Sequence, residues 1–341
     1  MEPRTRACTG AHDRRMFLTN AAALSAAALL GFPPVASAES RPEITTIRLP
    51  RDPAICLAPQ YLAEELLRLE GFSTAQYVDA TPGALYRSVD AGKADLTMDG
   101  APGLVYGLQN HANCTAIAGI HPGCYELFAN ERVRTLRDLK GKTIAVWDIE
   151  AGDHVFLSSM LAYVGIDPHD VKWLVDQRPG DAKRRFIHGG VDAFIGFPPE
   201  PQELRARNIG RVILNTAQDR PWSQYFCCIL VANREFATKY PSATKRALRA
   251  YLKAADLCAD EPERVARFLA DRGFEPNYET GLEVLKSLPY RRWRDSNPED
   301  TLRFHALRLH QVGMIQSTPQ KLIERGTDWR FLNELRRELK A

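Results

Sequence analysis

The sequence predicts a protein of two similar α/β lobes with a hinge and a ligand cleft between them. Three observations predict this: strands and helices alternate along most of the chain, one strand-and-turn motif occurs twice, and about 300 residues remain after an N-terminal leader. A chain of that length is long for one hydrophobic core and typical of two. Each observation is justified below in chain order.

Residues 1–38 have the pattern of an export signal. An arginine pair at 14–15 is followed by Phe-Leu, an Ala-rich stretch at 21–30 and small residues at 36–38. The apolar stretch is too short to span a bilayer, which needs roughly 20 residues, and Ala38 ends a cleavage site. The arginine pair and an apolar core of Ala rather than Leu favour the twin-arginine route over an ordinary secretory signal. The sequence therefore predicts a periplasmic protein cleaved near Ala38.

The net charge of the remaining chain limits the kinds of partner that it can bind. Removing residues 1–38 takes away four Arg, one Glu and one Asp, which leaves the chain nearly neutral. A surface without a Lys/Arg block argues against nucleic acid as a partner. No second apolar run approaches spanning length, so we expect a soluble and monomeric mature protein.

In the first half of the mature chain, segments with the two-residue apolar spacing of a strand alternate with segments that have the 3.6-residue spacing of a helix. Apolar spacing and Gly/Pro boundaries predict strands at 44–49, 76–78, 94–98 and 114–120, and helices at 59–69, 82–91 and 103–108. This order is typical of βαβ units on a parallel sheet.

The second half repeats that rhythm. Residues 92–102 (GKADLTMDGAP) resemble residues 189–199 (GGVDAFIGFPP) in having a helix-ending Gly, then an Asp, a short strand and a Gly/Pro turn. Gly fits the left-handed position after a helix, and Pro fits the first turn of the next one. The match predicts two lobes of similar build.

The chain is predicted to cross between the two lobes twice. We place lobe 1 at residues 39–130 and 232–341, and lobe 2 at 131–231. Lobe 2 begins with a turn and a buried strand at 139–146, and a strand at 225–231 returns the chain. The region after residue 233 is helical, has no sheet of its own and should pack on lobe 1.

Several short motifs then carry a family resemblance. They are the segment 136–142 (LRDLKGK) before a buried strand, Gly152-Asp153-His154 at a helix start, the two Gly/Asp turns above, and the segment 235–241 after the return strand. In this order they make the chain similar to the nitrate/sulfonate/taurine-type substrate-binding proteins of ABC importers, which share their fold with the fungal thiamine-pyrimidine synthesis proteins. The resemblance covers essentially the whole mature chain.

That resemblance implies the type II periplasmic binding fold, a Venus flytrap that holds a small molecule between its lobes and delivers it to an ABC permease in the inner membrane. The fungal proteins carry a cysteine-rich run for iron. Here only Phe226-Cys227-Cys228 resembles that run, which puts the iron chemistry in doubt.

The common catalytic motifs are missing from the sequence. It has no dinucleotide fingerprint, phosphate-binding loop, nucleophile elbow or His-Glu-x-x-His. We therefore predict a receptor rather than an enzyme, with no cofactor and no metal. Two alternatives stay open: an enzyme of the same fold in thiamine-pyrimidine or menaquinone-type metabolism, and an exported ligand sensor.

Four strand-to-helix turns are the predicted binding site. Ligands in open α/β sheets sit beyond the carboxyl ends of the strands, where helix N-termini offer free N–H donors. The turns are 51–59, 99–102, 148–154 and 197–200, and the resemblance places the same four around the cleft. With the hinge and the segment before the return strand, the predicted ligand-binding residues are Arg51, Asp52, Gly100, Ala101, Pro102, His121, Asp148, Gly152, Asp153, His154, Phe197, Glu200, Trp222, Gln224 and Tyr225.

Three of these residues have a purely structural alternative. Trp222 and Tyr225 suit stacking on a planar ligand, because each combines a flat apolar body with a polar group, but they also suit core packing at the lobe junction. His121 suits a hinge better than a metal site. Cysteines 114 and 124 are the pair to test for a disulfide in an oxidising compartment, against the alternative of buried free thiols.

Charge narrows the ligand. Carboxylates outnumber arginines around the predicted cleft, and desolvating an anionic ligand beside them is costly. The sequence therefore favours a small polar molecule, namely a sulfonate, a taurine-like zwitterion or a pyrimidine-type heterocycle, over nitrate or sulfate.

Overall fold

The structure is a computed structural model that describes residues 40–340 except 53, 82–83, 111–112, 177 and 179. The predicted export signal lies outside the described residues. The strands are β1 (Thr46–Arg51), β2 (Thr74–Asp79), β3 (Leu96–Gly100), β4 (Cys114–Pro122), β5 (Glu126–Ala129), β6 (Thr143–Val146), β7 (Lys172–Val175), β8 (Ala193–Gly196), β9 (Arg211–Asn215) and β10 (Phe226–Asn233).

The α-helices follow the predicted alternation and then dominate the C-terminal third. They are α1 (Ala58–Leu69), α2 (Tyr86–Asp90), α3 (Ala101–Leu108), α4 (Gly152–Tyr163), α5 (Asp181–Ile187), α6 (Glu200–Ala206), α7 (Arg234–Lys239), α8 (Pro241–Asp260), α9 (Pro262–Asp271), α10 (Tyr278–Ser287), α11 (Pro298–Gln311), α12 (Pro319–Gly326) and α13 (Arg330–Glu338). Within the described residues, none of them is long and apolar enough to cross a membrane.

The strands form a two-lobe α/β architecture. The first lobe holds the pair β1-β2 and the three-stranded sheet β3-β10-β4, and the second lobe holds the five-stranded sheet β7-β6-β8-β5-β9. Each lobe has its own apolar core, since the strands of the two lobes bury their side chains in separate clusters.

The expectation of purely parallel βαβ sheets is wrong in one respect. Strands β1, β2, β6, β7 and β8 pair in parallel, but β10 lies antiparallel between β3 and β4, and β5 lies antiparallel between β8 and β9. Each antiparallel strand belongs to a segment that passes between the lobes. Because such a strand enters its sheet directly from the hinge, it runs in the opposite direction to the strands that are reached through crossover helices.

The two connections between the lobes are bonded to each other. Thr216, after β9, accepts the N–H groups of Cys124 and Tyr125 through its hydroxyl at 3.1 and 3.0 Å, and its own N–H donates to the carbonyl of Tyr125 at 3.0 Å. Gly123 has φ +63°, and a Cβ there would lie 2.4 Å from the Cα of Ala217. Only glycine fits this close approach without strain.

The C-terminal helices complete the first lobe. Helix α8 begins at Pro241, which fits the first helical turn, and buries residues at three- and four-residue spacing, among them Ala247, Tyr251 and Cys258. This face packs on α1 and on the first lobe's core. Helix α11 reaches further than predicted: it packs on α3 and also on α4 of the second lobe, where Ser159 and His305 hydrogen-bond at 3.0 Å.

Candidate functional site

The N-termini of α3 and α4 meet where the two lobes face each other. Helix α3 follows β3 and carries Pro102 in its first turn, while α4 follows the turn after β6. A Cβ added to Gly103 would lie 3.4 Å from the Cα of Gly152. Two of the four predicted turns thus lie in contact, with both helix N-termini at the cleft.

Tyr125 of the hinge lies between these turns. Its hydroxyl is 4.0 and 3.7 Å from the positions that Cβ atoms on Gly100 and Gly152 would occupy. Its ring meets Phe156 and Phe197 edge to face, with centroids 5.1 and 5.6 Å apart. Neither Tyr125 nor Phe156 is among the residues predicted from the sequence, although Tyr125 ends the hinge motif that starts at His121.

Two buried aspartates close the same turns. The carboxylate of Asp99 accepts the N–H groups of Tyr86 and Gly100, each at 2.6 Å. That of Asp153 accepts the N–H groups of Trp147 and His154 at 2.7 and 2.8 Å. Burial raises the pKa of each aspartate to about 6, against the lowering effect of these hydrogen bonds.

Asp52 and Glu200 add two more carboxyl groups to the site. Burial raises the pKa of Asp52, and it raises that of Glu200 to about 7. The four groups form two interacting pairs, one in each lobe: the negative charge of Asp52 adds to the rise in the pKa of Asp99, and that of Asp153 adds to the rise in the pKa of Glu200. Each lobe thus brings a pair of carboxyl groups to its own turns.

Positive charge near these groups is sparse. Lys183 lowers the pKa of Glu200, but its ammonium is ion-paired with Glu203. The predicted site residue Arg51 is exposed, and its guanidinium lies over the ring of Phe274 at 5.2 Å. Ionised carboxyl groups therefore outnumber unpaired cations around these turns once the pH exceeds their pKa values.

The remaining predicted residues of the turns occupy supporting positions. Ala101 and Pro102 are buried in the first turn of α3, and Asp148 accepts the N–H of Ile149 at 2.8 Å. His154 is buried beside Trp173, and its Nδ1 accepts the N–H of Glu150 at 3.0 Å. Burial lowers the pKa of His154 to about 4, so the ring is neutral.

The segment before β10 does not join the site. Trp222 is 7% exposed and meets Tyr163 edge to face at 5.4 Å, in the second lobe's core. Tyr225 stacks on Phe304 of α11 at 4.2 Å, and Gln224 is exposed. The segment packs against α11 because that helix covers the lobe junction, and its aromatics serve as core rather than as a stacking platform for a ligand.

His121 is also withdrawn from the cleft. It is fully buried, with Nε2 3.0 Å from the carbonyl oxygen of Cys56 and Nδ1 3.2 Å from that of Pro122. Burial lowers the pKa of His121, but the thiols of Cys228 and Cys56 beside it outweigh burial and raise the pKa to about 9. The residue fastens the hinge to the turn after β1.

A groove of about 650 Å³ opens beside the hinge, between the second lobe and α10. Arg205 of α6 lies in this groove and pairs with Glu126 of β5 and, at 2.6 Å, with Glu283 of α10. The pair with Glu283 joins the second lobe to the C-terminal helices of the first.

All six described cysteines are buried thiols, and no disulfide joins any of the residues that the structure describes. Cys114 and Cys124, the pair singled out from the sequence, pack in different apolar clusters.

Comparisons with known proteins can now be set beside this geometry. A family model described as NMT1/THI5 like matches residues 64–265, more than half of the chain. A search of curated proteins gave no match.

Solved structures share the fold. The periplasmic nitrate-binding protein NrtA from Synechocystis PCC 6803 superimposes with a TM-score of 0.73 at 15% identity, covering 88% of this chain and 90% of that one. The alkanesulfonate-binding protein SsuA from Xanthomonas axonopodis pv. citri, bound to MOPS, gives 0.69 at 19% identity and covers 86% and 100%. The desulfurization enzyme DSZB gives 0.59 at 16% identity and covers 86% and 99%.

Proposed function

The chain belongs to the NMT1/THI5-like family, and on that premise we propose that it is a solute-binding receptor of an ABC importer. The similarity in fold to NrtA and SsuA supports a binding protein, and the two helix N-termini that meet at the cleft supply the backbone donors such a receptor uses. The receptor would act as a monomer and present its ligand to a permease of the inner membrane.

The ligand we propose is a small planar molecule that carries positive charge, as a protonated or amino-substituted heterocycle or as the ammonium group of a zwitterion. The four half-buried carboxyl groups Asp52, Asp99, Asp153 and Glu200 carry this proposal. A bare anion would face four carboxyl groups, whereas a cation would recover part of the cost of their burial. Tyr125 and Phe197, which are both half-buried, would supply aromatic edges and faces for a ring.

Location and lobe boundaries complete the proposal. The arginine pair at 14–15 would direct the chain through the twin-arginine route to the periplasm. The boundaries expected from the sequence, residues 39–130 with 232–341 and residues 131–231, leave β5 with lobe 1 and most of β10 with lobe 2, and we propose to move both by a few residues. Since β5 pairs in the second lobe's sheet and β10 in the first lobe's, the exchange points fall just before these strands, within the two bonded hinge segments.

A second candidate is an enzyme on the same fold, because DSZB superimposes over almost its full length. The buried carboxyl groups of the cleft could serve as acids or bases in such an enzyme. An exported sensor that signals through a membrane kinase would have the same cleft as the transport receptor.

Calorimetric titration against matched ligands tests the receptor. The panel pairs N-methylpyrimidinium salts, which stay cationic at any pH, and taurine with nitrate and simple alkanesulfonates, at pH 8 so that the carboxyl groups are ionised. We expect the positively charged and zwitterionic members to bind and the bare anions not to bind. Binding of anions alone would overturn the ligand class, and chemical conversion of a bound compound would favour the enzyme.

Variants place the binding in the cleft. Asp99→Asn and Glu200→Gln remove charge with little change in shape, and Glu65→Gln, an exposed carboxylate on α1, is the control. Loss of affinity in the first two and not in the control is the expected result. Equal affinity in all three would remove the carboxyl groups from the site.

A further inference from the structure

Four of the six described cysteines converge on one place in the interior. The Sγ atoms of Cys56, Cys124 and Cys228 all lie within 4.8 Å of one another, and all three residues are buried. They come from the turn after β1, the hinge and the start of β10, which are far apart in the sequence. Nothing in the receptor proposal uses these thiols, so they require a separate explanation.

A β-bulge brings the fourth thiol to the same side. Neighbours in a regular strand point to opposite faces, but the pairing of β10 with β4 shifts between Phe226 and Cys228. As a result Phe226 and Ile229 pack in one apolar cluster, whereas Cys227 and Cys228 both pack in the other. The thiol of Cys227 interacts there with those of Cys124 and Cys228.

The other two thiols show what an ordinary buried cysteine looks like in this protein. Cys114 lies in a different apolar cluster, and Cys258 of α8 shares the apolar cluster of the four thiols but is not among the three whose sulfur atoms come together. Buried cysteines commonly behave as small apolar residues of this kind. Within the described residues, only Cys56, Cys124 and Cys228 come together closely enough to hold one ion.

His121 borders the thiols without competing with them. Both of its ring nitrogens face carbonyl oxygens, those of Cys56 and Pro122, which can only accept hydrogen bonds. Among the described residues, the potential ligand atoms that lie within 4.8 Å of one another here are all sulfur, and the ring nitrogens of His121 are not among them. Sulfur donors alone select the ions that prefer thiolate, chiefly Cu(I) and Zn(II).

We propose that Cys56, Cys124 and Cys228, with Cys227 beside them, form a binding site for a thiophilic metal ion. At a metal–sulfur distance of about 2.3 Å, the sulfur atoms lie ~4.0 Å apart around a trigonal ion and ~3.8 Å apart around a tetrahedral one. Because the three sulfur atoms lie within 4.8 Å of one another, either geometry requires at most a small contraction. Cys124 also lines the groove beside the hinge, which gives an ion a path from the surface.

The position of the site gives it a structural consequence. Cys124 and Cys228 belong to the two connections between the lobes, and Cys56 belongs to a turn of the proposed ligand cleft. One bound ion would therefore tie both hinge segments to the first lobe. Because the ion binds the folded chain, it should raise the melting temperature until one equivalent has been added.

Cobalt(II) is the first probe, since its thiolate complexes absorb strongly through sulfur-to-metal charge transfer. The full chain carrying Cys8→Ser, reduced and under nitrogen, is titrated with Co(II) alone. We expect this absorption to saturate at one equivalent and to be bleached by Zn(II). Absence of this absorption, together with failure of the same folded protein to retain Cu(I) against bicinchoninate, would overturn the proposal without any further variant.

Variants in the same background locate the ion. Cys228→Ser and Cys56→Ser should weaken binding by more than about a hundredfold, since loss of outer partners alone costs 10–100-fold. The control Cys114→Ser/Cys258→Ser removes two buried thiols outside the cluster and should bind as the parent does. Equal weakening in the control would overturn the site.

Cys227→Ser separates the two metals. Zn(II) takes four ligands in closed sites, so its binding should fall with this change, whereas three-coordinate Cu(I), measured by competition with bicinchoninate, should be retained.

Thiol titration in denaturant adds an independent check on protein exported to the periplasm. A disulfide within the cluster there would contradict a metal site.

Discussion

The two copies of the repeated turn, residues 92–102 and 189–199, are alike in scaffold and different in chemistry. Gly92 and Gly189 both end a helix with positive φ, +69° and +72°. Asp95 and Asp192 then hold the neighbouring strand in the same manner: Asp95 accepts the N–H of Arg48 in β1 at 2.7 Å, and Asp192 accepts that of Thr143 in β6 at 3.0 Å.

The copies diverge where their strands end at the cleft. Asp99 of the first copy corresponds to Gly196 of the second, and Gly103 corresponds to Glu200. Each lobe thus contributes a buried carboxyl group, but from a different position of the turn. Positions shared by the two copies build the scaffold, and positions that differ supply the chemistry of the cleft.

The largest expected effect is at the shared aspartates. Asp95→Ala leaves the buried N–H of Arg48 and its guanidinium without their carboxylate, so the free energy of unfolding should fall by about 2–3 kcal/mol. Asp192→Ala should cost less, about 1–2 kcal/mol, since Asp192 is half-buried and bonds neutral partners. Urea unfolding measures both. A loss of ligand affinity without loss of stability would break the division into scaffold and cleft.

The positions that differ should show the opposite pattern. Asp99→Asn and Glu200→Gln should each weaken a positively charged ligand by roughly ten- to a hundredfold, which corresponds to about 1.5–3 kcal/mol for a hydrogen bond to a charged group. The free energy of unfolding at neutral pH should not fall in Glu200→Gln, because burial disfavours the ionised form of that carboxyl group. Calorimetric titration and thermal melting of the same samples test this. Tighter binding in either variant would mean that the ligand is an anion.

The comparison also shows what the sequence could and could not predict. The repeat, the strand-helix order and the four turns rest on local periodicity, and the structure has them at the predicted places. The antiparallel insertion of β5 and β10 depends on pairing between distant segments, which periodicity does not encode. The same holds for Trp222, because a flat apolar ring with one polar group suits either a ligand site or a core. Its contacts in the second lobe's core depend on how the distant helix α11 packs.

The cysteine cluster was missed for a related reason. Its members come from three separate segments, and a bulge in β10 overrides the strand alternation that would send Cys227 and Cys228 to opposite faces. The adjacent pair in the sequence was the only signal. Tyr125 was missed although its motif was noted, because the direction of a side chain at a hinge depends on how the two lobes meet.

The pH dependence of stability gives a separate test of Glu200, one of the carboxyl groups that differ between the two copies. Burial raises the pKa of Glu200 from 4.5 to about 7, so between these values the folded protein holds a proton that the unfolded chain has lost. Its contribution to stability is therefore complete below about pH 4.5 and is lost as the pH rises through 7. Glu200→Gln should match the wild type at pH 4.5 and exceed it by about 2 kcal/mol at pH 8. A constant difference between the two proteins at all pH values would contradict this.

The smallest expected effect concerns how the second copy's helix is held. Helix α3 of the first copy is buried among α4 and α11, whereas α6 of the second copy reaches the other lobe through the pair Arg205–Glu283 at 2.6 Å. Arg205 is 35% exposed and Glu283 is 53% exposed, so solvent screens their attraction. Glu283→Gln should then lower the free energy of unfolding by less than about 1 kcal/mol. If the pair helps to hold the lobes closed, the same variant should weaken ligand binding by a few-fold at low salt and leave it unchanged at 0.5 M salt. Glu279→Gln, an exposed change on the same helix, is the control, and an equal loss there would show a general effect of charge instead of a contact between the lobes.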